Sequence, residues 1–170
     1  MACSQVLHGI GLDCSNSMGG IRKVWIASYP TSGAPYTISS DVVTALNSNL
    51  EWHTFSFKKN TGSMTSTLTV DPANGVNYVS TEVVLQFSRM ETAKRVAIAA
   101  LALSDVVVIV EDCNGQRFAL GASEAVNVTA GTGQTGTAKG DGNYYQITLT
   151  DEFDTFPPML SDDVTITAVD

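Results

Sequence analysis

At 170 residues and 44% hydrophobic content, the chain is long enough to bury a sizeable core in one domain. Nine Lys and Arg against seventeen Asp and Glu leave a net charge of −8, which excludes a protein built to grip phosphates, because nucleic-acid affinity comes mainly from cations that displace counterions. With only 15% charged residues, Ser, Thr, Asn and Gly supply most of the polar surface, a composition suited to contact with other subunits. Cys3, Cys14 and Cys113 are an odd set without a CxxC pair or an apolar signal segment ahead of them, so reduced thiols in a cytoplasmic setting are expected. No apolar run approaches the ~20 residues of a membrane helix, and no membrane contact is predicted.

Residues 1–20 are polar and Gly/Ser-rich with apolar touches at Val6-Leu7 and Ile10, and read as an extended N-terminal arm. Residues 22–29 hold Val24-Trp25-Ile26, a first strand with Trp25 as anchor, before a turn over residues 30–35. Tyr36-Thr37-Ile38 predicts a short strand, and residues 41–46 a helical turn capped by Ser39 or Ser40. Residues 51–59 alternate as a strand, with Trp52, Thr54 and Ser56 opposite Glu51, His53, Phe55 and Phe57. Residues 64–70 alternate again. Asp71-Pro72-Ala73-Asn74-Gly75 then turns the chain into a long strand with Val79, Thr81, Val83, Leu85 and Phe87 on one face. The resulting hairpin, residues 64–87, is rich in Thr and Ser, and with the arm it is expected to contact other subunits.

Ser88 and Glu91 have the spacing of a capping box, which predicts a helix over residues 90–103 with Val96, Ala97, Ala100, Leu101 and Leu103 as its apolar stripe. Val106-Val107-Val108-Ile109-Val110 is too apolar to leave either face in water and reads as a core strand. Asn114-Gly115 then signals a tight hairpin returning through Phe118-Ala119-Leu120. Residues 124–129 predict a strand, residues 131–142 a Gly/Thr loop or loose hairpin tip that orders against a partner, residues 144–150 another strand, residues 151–163 an extended connector, and residues 164–169 the last strand. The expected fold class is mainly β: a β-sandwich or barrel of residues 21–170, one flanking α-helix at 90–103, and an extended arm and hairpin.

Gly131-x-Gly133-x-x-Gly136 has the letters of a dinucleotide fingerprint but not its context. The residues after it cannot form the helix whose N-terminus would meet a pyrophosphate. His8 and His53 have no Cys, Asp or Glu at ligand spacing. Asp141-x-Asn143 and Asp151-Glu152-x-Asp154 collect oxygens without continuing into a calcium loop, and Asn127-Val128-Thr129 reads as ordinary strand. The sequence assigns no catalytic, cofactor-binding or metal-binding residue, and predicts a non-enzymatic protein without cofactor.

The order Val110-Glu111-Asp112-Cys113-Asn114-Gly115-Gln116-Arg117-Phe118-Ala119-Leu120-Gly121, then Thr135-Gly136-Thr137-Ala138 with Gly140-Asp141, then Tyr145-Gln146-Ile147-Thr148-Leu149 and Pro157-Pro158, resembles structural proteins of tailed bacteriophages, and within them the tail tube (major tail) proteins. The resemblance spans residues 81–158. It implies a β-sandwich with a flanking helix, hexameric rings that stack into a tube, and a place in the virion tail after assembly in the host cytoplasm. It also implies partners: further copies of the chain, other tail or neck proteins, a tape-measure protein inside the tube, and DNA passing non-specifically. The arm and the hairpin would correspond to extensions that bridge rings. A head–tail connector ring or a capsid decoration protein would show the same features, and a carbohydrate-binding β-sandwich is the alternative from another class.

Overall fold

The computed structural model describes residues 9–12 and 14–169. The β-branched run centred on Val108 has no polar face to give to water, and it forms β7 (Val106–Asp112), in which Val106 to Val110 are all buried. β1 (Ile21–Ser28) and β8 (Arg117–Leu120) pair with it antiparallel on either side. The seven-stranded sheet is completed by β2 (Tyr36–Ser39), β3 (Val42–Leu46), β4 (His53–Phe55) and β11 (Met159–Leu160), in the order β2-β3-β11-β8-β7-β1-β4. A second, four-stranded sheet has the order β5-β6-β10-β9, from β5 (Ser63–Asp71), β6 (Val76–Ser88), β9 (Asn127–Gln134) and β10 (Tyr144–Phe153). One helix, α1 (Thr92–Ala102), joins β6 to β7. The fold is mainly β, two sheets with one helix, as the composition and periodicity predict.

Alternation along β7 divides the core in two. Val106, Val108 and Val110 face the second sheet, where they meet Val83, Leu85, Phe87, Ile147 and Leu149. Val107 and Ile109 face the other way, into a cluster with Trp25, Tyr36, Val43 and Trp52. The chain covers that outer face with its own C-terminal segment: Val164, Ile166 and Ala168 lie on it at the strand period of two. Residues 164–169 are nevertheless not the strand expected of them. Arg117 donates to the carbonyls of Ser161 and Val164, and only Ala168 forms a bridge, with Trp52, so the segment is extended and buried on one side without joining a ladder.

Four other expectations are corrected. Residues 41–46 form β3 rather than a helical turn, because Ser40 and Asp41 both take positive φ, 52° and 62°, and make the two-residue hairpin turn that returns β2 as β3. The strand expected over residues 51–59 shrinks to β4, although Phe55 and Phe57 share the inter-sheet core as the alternation predicts. The strand expected at residues 124–129 is shifted: β9 runs on through Gly131 and Gly133, so that residues 131–134, a third of the stretch expected to be loop or loose hairpin tip, pair with β10. A Cβ on Gly133 would stand 3.0 Å from the Tyr145 ring, which explains why the ladder there is built from glycine. The connector expected at residues 151–163 begins as the end of β10 and contains β11, which pairs parallel with β3.

The helix starts differently from the capping-box reading. Ser88 is held in β6 opposite Tyr144 and cannot cap; Glu91 takes the N-cap position without a side-chain hydrogen bond to the helix. Arg89 turns the chain at φ 65°, fixed by Asn143, whose carbonyl accepts from Arg89 N at 2.7 Å and whose side chain accepts from Met90 N at 2.8 Å. The inward face is Ile98 and Leu101, and Val96, Ala97, Ala100 and Leu103, expected to be buried, face outward. Because the helix is apolar almost all round, its sequence does not choose a face. Leu101 is 8% exposed and Leu103 93%. Leu101→Asp should cost several kcal/mol by burying an unpaired carboxylate, whereas Leu103→Asp should change the urea midpoint hardly at all; equal losses in the two variants would place Leu103 against the sandwich after all.

Candidate functional site

The chemistry-bearing motifs are spent on structure. His53 is exposed on β4, in a shallow depression with Tyr29, Asn49 and Glu51, and no hydrogen bond joins it to a serine or carboxylate. His8 lies outside the described residues. The Asp141 carboxylate accepts from Thr137 N at 2.8 Å and Ala138 N at 2.7 Å, which ties the loop after β9 to itself. These backbone donors, Ala138 first, hold the Asp141 carboxyl below its ordinary range. The turn of this loop is thus closed by its own aspartate. Asn127 donates to Asp105 at 2.8 Å, and Cys113 sits in the β7–β8 turn with its N–H on the Gly20 carbonyl. Among the described residues, no three His, Cys, Asp or Glu side chains come together as a metal site.

One buried ionisable pair was not legible in the sequence. Asp151, on β10, is 6% exposed and accepts from Gly121 N at 3.1 Å, joining the second sheet to the end of β8. Burial raises its carboxyl above the usual range, and the charges of Glu124 and Glu152 add to the rise against the hydrogen bonds that oppose it. Tyr36 donates to the Leu120 carbonyl at 2.9 Å, and burial pushes its phenol up, so it stays a neutral donor.

The features that face outward are of another kind. The end of the described arm is anchored by Asn114: Met18 N donates to its side-chain oxygen at 2.8 Å, and its amide donates back to the Met18 carbonyl at 3.0 Å. Beyond that clamp Ile10 and Leu12 are fully exposed. The hairpin of residues 64–87 was expected to lack a face that packs on its own domain, but from Val79 onward β6 packs into the core. Its tip alone projects. Three β6 residues run past the last β6–β10 pair, Val79 opposite Phe153, an overhang of about 10 Å at ~3.4 Å per residue. Leu68 and Val70 are exposed on one face of this tip, Val76 and Tyr78 on the other. The tip is stiffened by Asp71, which accepts from Ala73 N, Asn74 N and the Asn74 amide. A further apolar depression of about 410 Å³ lies between the β2–β3 turn and the β10–β11 connection, lined by Ile38, Val42, Phe156 and Met159.

Strand direction also sorts the charges. β1, β5, β8 and β10 begin, and β6, β7 and β9 end, at one end of the sandwich. There lie Arg22, Lys23 and Arg117 on the first sheet, and Lys58 and Lys59 in the turn before β5. Arg89, Lys94 and Arg95 at the start of the helix, and Lys139 in the loop before β10, complete all nine basic residues of the chain. Six acids share this end, and the three ion pairs of the described residues form here: Arg22 with Glu111 at 3.1 Å, and Arg89 and Lys94 with Glu91 at 3.2 and 3.9 Å. The opposite end carries Asp105, Glu124, Asp151, Glu152 and Asp154, with Asp71 at the hairpin tip and, at the two edges of the first sheet, Asp41 in the β2–β3 turn and Glu51 before β4. Among the described residues no Lys or Arg lies there.

Comparison with protein-family models finds no match, and comparison with curated proteins finds none either.

The position of Asp151 sets a pH dependence. A carboxyl raised by folding stabilises the fold in its protonated form; this contribution is complete below the unfolded pKa and is lost as pH rises through the folded one. Asp151→Asn keeps an acceptor for Gly121 N and removes the charge. The variant should melt higher than the parent at pH 7, and the difference should close as the pH is lowered below about 4. A variant that melts lower than the parent at pH 7, with the deficit closing at low pH, would assign Asp151 a net stabilising charge.

Proposed function

We propose that this chain is a non-enzymatic structural subunit of a tailed-phage virion, most specifically a tail tube protein whose copies close into rings and stack into a conduit for DNA. The observation that carries the reading is the stiff β5–β6 tip, which holds Leu68, Val70, Val76 and Tyr78 out in solvent beyond the sandwich. A monomer gains nothing from displaying four large apolar side chains on a prong. A subunit whose neighbour covers them recovers about 25 cal/mol per Å² of apolar surface removed from water. The arm adds Ile10 and Leu12, and the outward face of α1 adds Val96 and Leu103.

The residue order over positions 81–158 that resembles the tail tube family supports the same reading, as does the net charge of −8, which lets DNA pass a lumen without sticking. The carbohydrate-binding alternative loses ground because Trp25 and Trp52 are both buried, leaving neither as a sugar platform.

Electron microscopy of the purified chain tests the proposal: six-fold rings or tubes are the expected product. A stable monomer that binds glycans overturns the reading. Isolated rings that never stack, or particles that bind only to capsids, would move it to a connector or a decoration protein. Deleting residues 2–16, whose described members touch no core cluster, should leave a folded protomer that no longer forms long tubes. Unchanged tube length would remove the arm from assembly.

A further inference from the structure

The chain contains two Asn-Gly pairs, Asn74-Gly75 at the β5–β6 tip and Asn114-Gly115 in the β7–β8 turn, at opposite ends of the sandwich. Glycine after asparagine leaves the next backbone nitrogen without a neighbouring Cβ, so that nitrogen can reach the side-chain amide. Asn74 donates within its own turn, to Asp71 Oδ2 at 2.6 Å, whereas Asn114 holds a distant part of the chain. The Asn114 side-chain oxygen accepts from Met18 N at 2.8 Å, and its Nδ2 donates to the Met18 carbonyl at 3.0 Å and to Asp112 Oδ2 at 3.1 Å. Gly115 N, the nitrogen placed to attack, donates instead to the Asp112 carbonyl at 3.2 Å. We infer that Asn114 is a deamidation site gated by the N-terminal arm: the docked arm protects the amide, and loss of the amide releases the arm for good.

The step is an internal displacement followed by hydrolysis. Gly115 N loses its proton and bonds to Asn114 Cγ, the Cγ–Nδ2 bond breaks, and the nitrogen leaves as ammonia with that proton. Water then opens the succinimide ring at either carbonyl and leaves an aspartyl or isoaspartyl residue; nothing is oxidised or reduced. In the closed arrangement both reacting groups are engaged: Nδ2 is held by Met18 and Asp112, and Gly115 N by the hydrogen bond that closes the turn. The reaction therefore proceeds from a locally opened form, whose population the contacts to Met18 set. Its product cannot close the clamp again. A carboxylate has no hydrogen to give the Met18 carbonyl, and it stands against Asp112, whose own carboxylate oxygen lay 3.1 Å from the lost amide nitrogen. Cys113 N still holds the Gly20 carbonyl at 3.1 Å, so the segment set free is the one that ends at Met18.

Ageing the full-length protein at mildly alkaline pH, with deamidation at each Asn-Gly pair read by peptide mass spectrometry, tests the gate. Met18→Pro removes the N–H that Asn114 accepts. It should speed deamidation at Asn114 about five- to tenfold, the weight of one hydrogen bond, while Asn74 keeps its rate. Asn114→Asp, and the deamidated parent separated by ion exchange, should both lose hydrogen-exchange protection at the Met18 amide while circular dichroism shows the fold intact. Equal rates at Asn114 in the parent and in Met18→Pro would overturn the gate, and so would equal acceleration at both pairs, which is general loosening. A Met18 amide still protected in the deamidated parent would overturn the release of the arm. Should either variant fail to fold, the deamidated parent, whose sequence is otherwise unchanged, decides by the same exchange measurement. All these readouts are taken on the single chain, so their failure leaves the tube reading in place.

Discussion

Everything in this fold hangs on a strand with no exposed face. Val106 to Val110 are buried on both sides of β7, and each such side chain contributes about 1.5–3 kcal/mol on leaving water, provided that both sides are covered. On one side the cover is the four-stranded sheet. On the other it must come from elsewhere, and the chain supplies Trp52 and the extended segment that carries Val164, Ile166 and Ala168. The C-terminal segment is therefore the third layer of the structure, although it makes almost no ladder. Arg117 fixes it by binding two of its carbonyls, which satisfies acceptors that a third strand layer would otherwise have paired.

Where burial and period agree, the sequence is readable. Val79, Thr81, Val83, Leu85 and Phe87 alternate in sequence and are the buried residues of β6, and Asn114-Gly115 turns β7 back as β8 with Gly115 at φ 86°. Where two patterns compete, it is not. Residues 41–46 offer a serine cap followed by apolar residues, yet Val42-Val43 are β-branched and a Ser-Asp pair can adopt the left-handed turn, so the hairpin wins. Around α1 nearly every position is apolar, and the face is chosen by Asn143 and the geometry of Arg89, groups distant in sequence from the helix positions they orient. Residues 131–134 look like a loop because glycine and threonine carry no period, but ladder formation depends on backbone groups alone.

The outward features were legible only in part, for a related reason. That the chain has an arm and a Thr-rich hairpin can be read from composition; that only the tip of the hairpin is free requires knowing where β10 ends. The role of Asp151 and the segregation of charge are hidden in the same way. In the sequence, Lys58-Lys59 and Lys94-Arg95 look like unrelated pairs, and Glu124 and Glu152 like scattered acids. Once strand directions are assigned, each cation falls at the start of β1, β5, β8, β10 or α1, or near the end of β6, and so at one end.

That segregation has a cost within the monomer. Burial raises the carboxyl of Asp151, and Glu124 and Glu152 add to that rise, so the acidic end works against the folded state at neutral pH. Moving one lysine to that end would relieve the repulsion without touching the core. Eight carboxylates are spread across one end of the sandwich with no Lys or Arg among them, and the cations lie some 30 Å away by the rise of ~3.4 Å per strand residue, too far to screen the repulsion that Glu124 and Glu152 exert on Asp151.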